Sequence, residues 1–265
     1  MDKNLKAIMD QASPVWGVCD YNLRPEDLIP CSKIKDLPKR AASILVALFP
    51  YAFEEEKYKN ANISRYAAVK DYHKIVQNRL EIAAQKLKIF YPDKEFVAFC
   101  DNSPIPEVRA ALDAGLGVSG ENNLLINQKY GSWVFIGEIV TDLKIQSAQG
   151  LGLKRCIGCG YCVEACPTRV LGKNVFEKNS CLSQISQRKG ELKPEEEDLI
   201  RKTACAWGCD ICQLVCPMNE EKEIGPLSEF KEGFKPHFSR GDDIEDRAFA
   251  WRGRAVIERN VKLLE

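Results

Sequence analysis

Cys156, Cys159, Cys162 and Cys166, followed at once by Pro167, spell C-x2-C-x2-C-x3-C-P, a spacing that holds 4Fe-4S clusters. Two intervening residues let a tight loop aim successive thiolates at different irons of one cube, while the fourth cysteine, one residue further off, serves a second cube. Cys209, Cys212 and Cys216, followed by Pro217, repeat the C-x2-C-x3-C-P ending, and Cys181 stands between the two sets. Eight ligands for two cubes are therefore expected: Cys156, Cys159, Cys162 and Cys216 for one, and Cys166, Cys181, Cys209 and Cys212 for the other. Cys205 is the rival for Cys181's place. Transfer of single electrons is the chemistry this predicts.

Paired C-x2-C units also hold zinc, but a zinc site closes with four ligands and has no need of the C-x3-C-P endings. A disulfide framework normally follows a secretory signal, and Met1 to Pro14 is polar and charged, without the apolar run that such a signal requires. With 12 cysteines in 265 residues, a reducing cytoplasm is the expected location. The longest apolar stretch, Ala41 to Phe53, contains Pro50 and is too short for a bilayer, so no membrane segment is expected. Lys+Arg 38 against Asp+Glu 38 gives zero formal net charge, which offers polyanions no general attraction. Any nucleic-acid contact must use a local patch, and Arg252, Arg254, Arg259 and Lys262 beside Trp251 are the candidates. Glu258 and Glu265 interrupt that patch, and a solvated helix face is the better reading of it.

A two-cluster module needs on the order of 60 residues, so something else occupies the first 150 positions. Ser43 to Phe49 is a continuous apolar run, as in a strand buried on both faces. Tyr66 to Leu87 carries Tyr72, Ile75, Val76, Leu80, Ala83 and Leu87 at helical spacing, with Ser64 near its start as a cap. Phe96 to Cys100 is the next strand, ending in the turn residues Asp101-Asn102-Ser103-Pro104. A helix from Pro106 to Ala114 stops at Gly115-Leu116-Gly117, and Trp133 to Thr141 is a further strand. Alternating strands and helices predict an α/β (α+β) layer with sites at the strand ends. The expected organisation is 1–150, an α/β domain; 151–225, a double 4Fe-4S ferredoxin-like domain; and 226–265, a helical tail.

The chain has two histidines, His73 and His237, too few for most His-based metal sites. Gly115 to Gly120 satisfies G-x-G-x-x-G but follows a helix, whereas a dinucleotide fingerprint lies between strand and helix. Its glycines are expected to let backbone approach another surface or a flat ligand.

Several segments together resemble the epoxyqueuosine reductase family: Ser64 to Leu80 with its DYH, Phe99 to Gly117, Asn122 to Leu143 with GSWVFIGEIVTDL, both cysteine runs, and the closing WRGRAVIERN. The resemblance implies a corrinoid enzyme in which base-off cobalamin lies between the α/β and ferredoxin-like domains, one cluster passes electrons to cobalt, and epoxyqueuosine in tRNA is reduced to queuosine. It places a proton-donating aspartate at Asp101, for which the residues alone read equally as a turn or helix cap. It places cofactor contacts at Tyr66, His73, Ser103, Gly117, Asn123, Gly131, Ser132 and Trp133. On a helix Asp71 to His73 fan out over about 200 degrees, so they do not share one pocket. The chain departs from the family pattern at Glu121, where a basic residue is usual, at Arg109, which stands one place late, and at Glu265, after which typical members continue into helical repeats. An external flavodoxin or ferredoxin is the expected electron donor. Two other readings are a corrinoid reductase of a small molecule, in the manner of reductive dehalogenases, and a non-catalytic electron-transfer module.

Overall fold

The computed structural model describes residues 2–147, 155–173 and 175–265; the boundary expected between 150 and 151 lies outside them. The chain divides into two compact units, Met1–Pro50 with His73–Cys156, and Tyr51–Tyr72 with Ile157–Glu265. The segment Tyr51–Tyr72, which a linear division leaves in the first domain, is thus part of the second unit.

The first unit is built on α1 (Lys3–Ala12), β1 (Val15–Asp20), β2 (Ser43–Pro50), α2 (Tyr72–Phe90), β3 (Phe96–Cys100), α3 (Glu107–Asp113), a small hairpin of β4 (Val118–Ser119) and β5 (Leu125–Ile126), and β6 (Val134–Thr141). Its main sheet has the order β1-β2-β6-β3. Every neighbouring pair is antiparallel, so the alternation of strands and helices produces an α+β sheet rather than a parallel one. The strands joined by α2 do run parallel to each other, but β6 inserts between them. All eight residues of β2 are buried, as its unbroken apolar run requires of a central strand.

Side chains alternate across the sheet, and this decides which helix each strand residue meets. A Cβ on Gly137 would lie 2.6 Å from Leu80 Cδ1 and 2.9 Å from Val76 Cγ1, so that face carries α2. On the other face α3 closes a core of Ile44, Val46, Leu48, Phe99, Ala111 and Val140. The sequence reading overlooked α1 and β1. Yet α1 buries Leu5, Ile8, Met9 and Ala12 at helical spacing, and the Asp2 carboxylate caps it by accepting the N–H groups of Asn4 at 2.8 Å and Leu5 at 3.0 Å.

The helix expected from Tyr66 begins at Tyr72. Before it, Arg65–Ala67 forms a separate 3-10 turn, and Ser64 makes no side-chain cap bond there. Lys70 bridges Arg247 in antiparallel fashion and Asp71 N–H donates to Asp246 O at 2.8 Å, so tertiary backbone bonds hold this stretch extended and delay the helix.

The second unit contains α4 (Tyr161–Ala165), α5 (Leu182–Ser186), α6 (Pro194–Thr203), α7 (Ile211–Leu214), α8 (Ser228–Lys231) and α9 (Arg254–Lys262). Its core joins Ile63 and Ala67 to Trp207, Phe238, Phe249 and Ile257. Pro194 opens α6 at a position where its missing N–H is harmless, and the Glu196 carboxylate accepts the Lys193 N–H at 3.0 Å and a two-pronged bond from Arg188.

Candidate functional site

The cysteine runs lie on two short helices that pack against each other, α4 and α7. Gly160, in the left-handed region at φ 77°, turns the chain into α4, which carries Cys162 and ends at Cys166. Helix α7 carries Cys212 and is flanked by Cys209 and Cys216. Cys162 and Cys166 are buried with Val170 and Leu171, and Cys181 and Cys212 pack against them. None of the 12 cysteines forms a disulfide.

Burial and neighbouring thiols act together on these sulfurs. Burial pushes the Cys209 thiol up to about 12, and Cys181 and Cys166 add to the rise. Burial also raises Cys212, which feels Cys209, Cys181 and Cys162. Cys166 moves the other way: burial opposes ionisation, but backbone N–H groups of Leu171, Thr168 and Val170 and the Thr168 hydroxyl hold its thiol below the ordinary value. Donors aimed at sulfur favour thiolate, and the irons of a cluster would supply the positive charge that the raised thiols need for ionisation. The thiol chemistry of this donor set suits a 4Fe-4S cube, though among the described residues no three His, Cys, Asp or Glu side chains are drawn together as a metal site. Cys205 is occupied differently, since its Sγ donates to Trp207 O at 3.3 Å and lies 3.6 Å from Gly208 O.

In the first unit a second constellation forms where β3 ends. Asp101 takes φ 53°, in the left-handed region, and reverses the chain toward α3. Short carboxylates tolerate this conformation better than most side chains. The Asp101 Oδ2 lies 3.2 Å from His73 Nε2, and His73 is the second residue of α2. Asp101 is 57% exposed against 29% for His73, so the carboxylate is open to an incoming ligand while the imidazole backs it. Glu107, the first residue of α3, accepts the Asp101 backbone N–H.

Sequence reasoning missed Glu138. It lies in mid-β6 at 0% exposure, on the face toward α3, level with Val46 and Phe99. A single carboxylate at an inward position of GSWVFIGEIVTDL was the available signal.

Of the other nominated residues, Ser103 adjoins this constellation through its hydroxyl's contact with Glu138. Ser103 is buried and its Oγ accepts the Ile105 N–H at 3.1 Å. A Cβ on Gly117 would meet Ile126 O at 2.5 Å, so this glycine admits the backbone of β5. Asn123, at φ 63°, turns the β4–β5 hairpin. Gly131 exchanges both backbone bonds with Asn127, at 2.8 and 2.9 Å, and Ser132 and Trp133 are buried behind that turn. Tyr66 belongs to the second unit, where its hydroxyl accepts Trp207 Nε1–H at 2.8 Å. Gly117, Gly131 and Tyr66 therefore each have a structural duty within their own unit.

In the arginine patch, Arg252 stacks on Trp251 at 3.9 Å from the ring centroid. Arg259 is committed inward, donating to the carbonyls of Arg188, at 2.8 Å, and Gly190. Arg254 donates to Asp242 O at 2.7 Å and meets Glu258 at 3.4 Å. No helix of the described residues is long and apolar enough to cross a membrane.

Residues 155–219 match the family model of a 4Fe-4S double cluster binding domain, and residues 32–102 match that described as epoxyqueuosine reductase QueG, DUF1730. An epoxyqueuosine reductase of Synechocystis sp. is 36% identical over 236 residues, covering 85% of this chain and 80% of that protein. One from Lactococcus garvieae is 33% identical over 225 residues, covering 78% of this chain and 62% of that protein, so the chain spans less than two thirds of the latter's length. In fold it is similar to a crystal structure of epoxyqueuosine reductase with an epoxyqueuosine-modified tRNA-Tyr stem loop, with a TM-score of 0.81, 23% identity, and coverage of 98% of this chain and 79% of that one.

Proposed function

The chain belongs to the epoxyqueuosine reductase family, and from that premise we propose that it reduces the epoxide of epoxyqueuosine to the alkene of queuosine in tRNA, in the cytoplasm. The observation that carries this reading is the 36% identity over a span covering 80% of the Synechocystis reductase. The reaction consumes two electrons and two protons, and the epoxide oxygen leaves as water.

Two 4Fe-4S clusters, ligated by Cys156, Cys159, Cys162 and Cys216 and by Cys166, Cys181, Cys209 and Cys212, would take single electrons from a flavodoxin or ferredoxin. The nearness of Cys181 and Cys166 to Cys209, and of Cys181 and Cys209 to Cys212, supports the second set, and the carbonyl-bonded Cys205 thiol favours Cys181 as the eighth ligand. Family membership also implies cobalamin, which when bound supplies a centre able to cleave the epoxide C–O bond. Asp101 delivers the proton to the departing oxygen, and its exposed carboxyl at a strand end suits that role. His73 orients the carboxyl through the 3.2 Å contact. Of the basic patch, the stacked Arg252–Trp251 pair and the exposed Lys262 are the parts left to meet tRNA.

The test is anaerobic incubation of the reconstituted protein with cobalamin, a low-potential reductant and an anticodon stem loop carrying epoxyqueuosine. A nucleoside lighter by one oxygen, identified by mass spectrometry as queuosine, is expected. Unchanged substrate, together with a free-cobalamin EPR signal, would refute the reading.

A further inference from the structure

A carboxyl at the centre of a sheet needs an explanation. Glu138 is completely buried; the Ser103 hydroxyl approaches its carboxyl, but among the described residues neither oxygen makes a hydrogen bond of ordinary geometry. Glu107 Oε1 is likewise enclosed and unpartnered. An ionised carboxylate left this way costs several kcal/mol, and a sheet interior accepts it far more cheaply as the neutral acid.

The two groups act on one another. Burial raises the Glu138 carboxyl well above its ordinary range and Glu107 adds to the rise, while the Ser103 hydroxyl opposes it. Burial likewise raises Glu107, and the Asp101 charge is the next cause; the Asp101 backbone N–H, His73 and Lys33 pull the other way. Cys100, from β3, feels both carboxyls and Cys19, from β1, feels Glu138, each a thiol whose own ionisation burial suppresses. The line Glu138, Glu107, Asp101 thus runs from the sheet interior to an exposed carboxyl.

We propose that Glu107 and Glu138 form a buried proton-holding pair, with Glu107 as the positioning residue that fixes Asp101 through its backbone N–H and returns a proton to it between deliveries. This rests on the function proposed above. Reducing one epoxide to an alkene and water takes two protons, and Asp101 holds one. Asp101 gives its proton to the oxygen, takes a second from the pair and gives that too. The pair recovers its proton from solvent through the exposed Asp101, and the two electrons come from the low-potential donor.

The first test is infrared difference spectroscopy of the reconstituted protein in light and heavy water at neutral pH. A protonated-carboxyl stretch, lost in Glu138→Gln and displaced in Asp101→Asn, is expected; its absence from the wild-type protein, or its persistence unchanged in both Glu107→Gln and Glu138→Gln, overturns the proposal. This measurement needs no turnover, so failure of the pair is read apart from failure of the reaction. In the stem-loop assay Glu107→Gln still offers an amide oxygen to the Asp101 N–H but holds no transferable proton. Steady-state turnover should fall tenfold or more with KM little changed, and the loss of rate at alkaline pH should disappear. A wild-type rate and pH profile in Glu107→Gln would overturn the relay.

Discussion

Replacing Glu107 with glutamine should remove more than half of the first unit's loss of stability on going to alkaline pH. Burial and the Asp101 charge raise the Glu107 carboxyl from 4.5 to about 8. Because the folded chain binds this proton more tightly than the unfolded chain, stability is fully present below pH about 4.5, falls as pH rises toward 8, and levels off above it. At about 1.4 kcal/mol per pH unit the rise caps the loss at about 5 kcal/mol. Glu138 shares the effect and Glu107 keeps some solvent contact, so about 2 kcal/mol is the working figure. Hydrogen exchange of amides in β2 and β6, followed against urea at about pH 5 and about pH 8.5, reports this unit separately from the other. The wild-type midpoint should drop between the two pH values while that of Glu107→Gln moves by less than half as much. Equal drops would refute the raised Glu107 carboxyl.

Asp101→Asn should lower stem-loop reduction by a factor of about 100 or more while leaving iron content intact, because asparagine also accepts the left-handed backbone at φ 53°; preserved turnover would remove Asp101 as the acid. Cys181→Ala should lose about half the bound iron, whereas Cys205→Ala should lose none, since its thiol serves Trp207 O; iron analysis after anaerobic reconstitution decides. Gly137→Ala drives a methyl to 2.6 Å from Leu80 Cδ1 and should cost about 1–3 kcal/mol by overpacking, visible as a lower melting temperature.

Local spacing made much of this protein legible. The apolar run of β2, the strand Phe96–Cys100 and the glycine stop after α3 were all readable from short windows, because each pattern is set by neighbours a few residues apart. The cysteine spacing likewise marked the double-cluster domain, since the offsets within C-x2-C-x2-C-x3-C-P are fixed by one loop. The α1 pattern, with Leu5, Ile8, Met9 and Ala12 at helical spacing, is equally local.

Long-range contacts decided the rest. Nothing in the strand sequences encodes that β6 inserts between β2 and β3, since any buried strand offers the same ladder of backbone bonds to any neighbour. The start of α2 at Tyr72 depends on partners at Asp246 and Arg247, more than 170 residues away along the chain. The meeting of His73, Asp101 and Glu107, and the burial of Glu138 beside them, likewise arises only when two helix beginnings and a strand end converge. Sequence alone determined which residues could carry electrons, because cluster ligation depends on local geometry. Tertiary structure decided where a proton can be kept, because a carboxyl's affinity for its proton depends on everything that surrounds it in space.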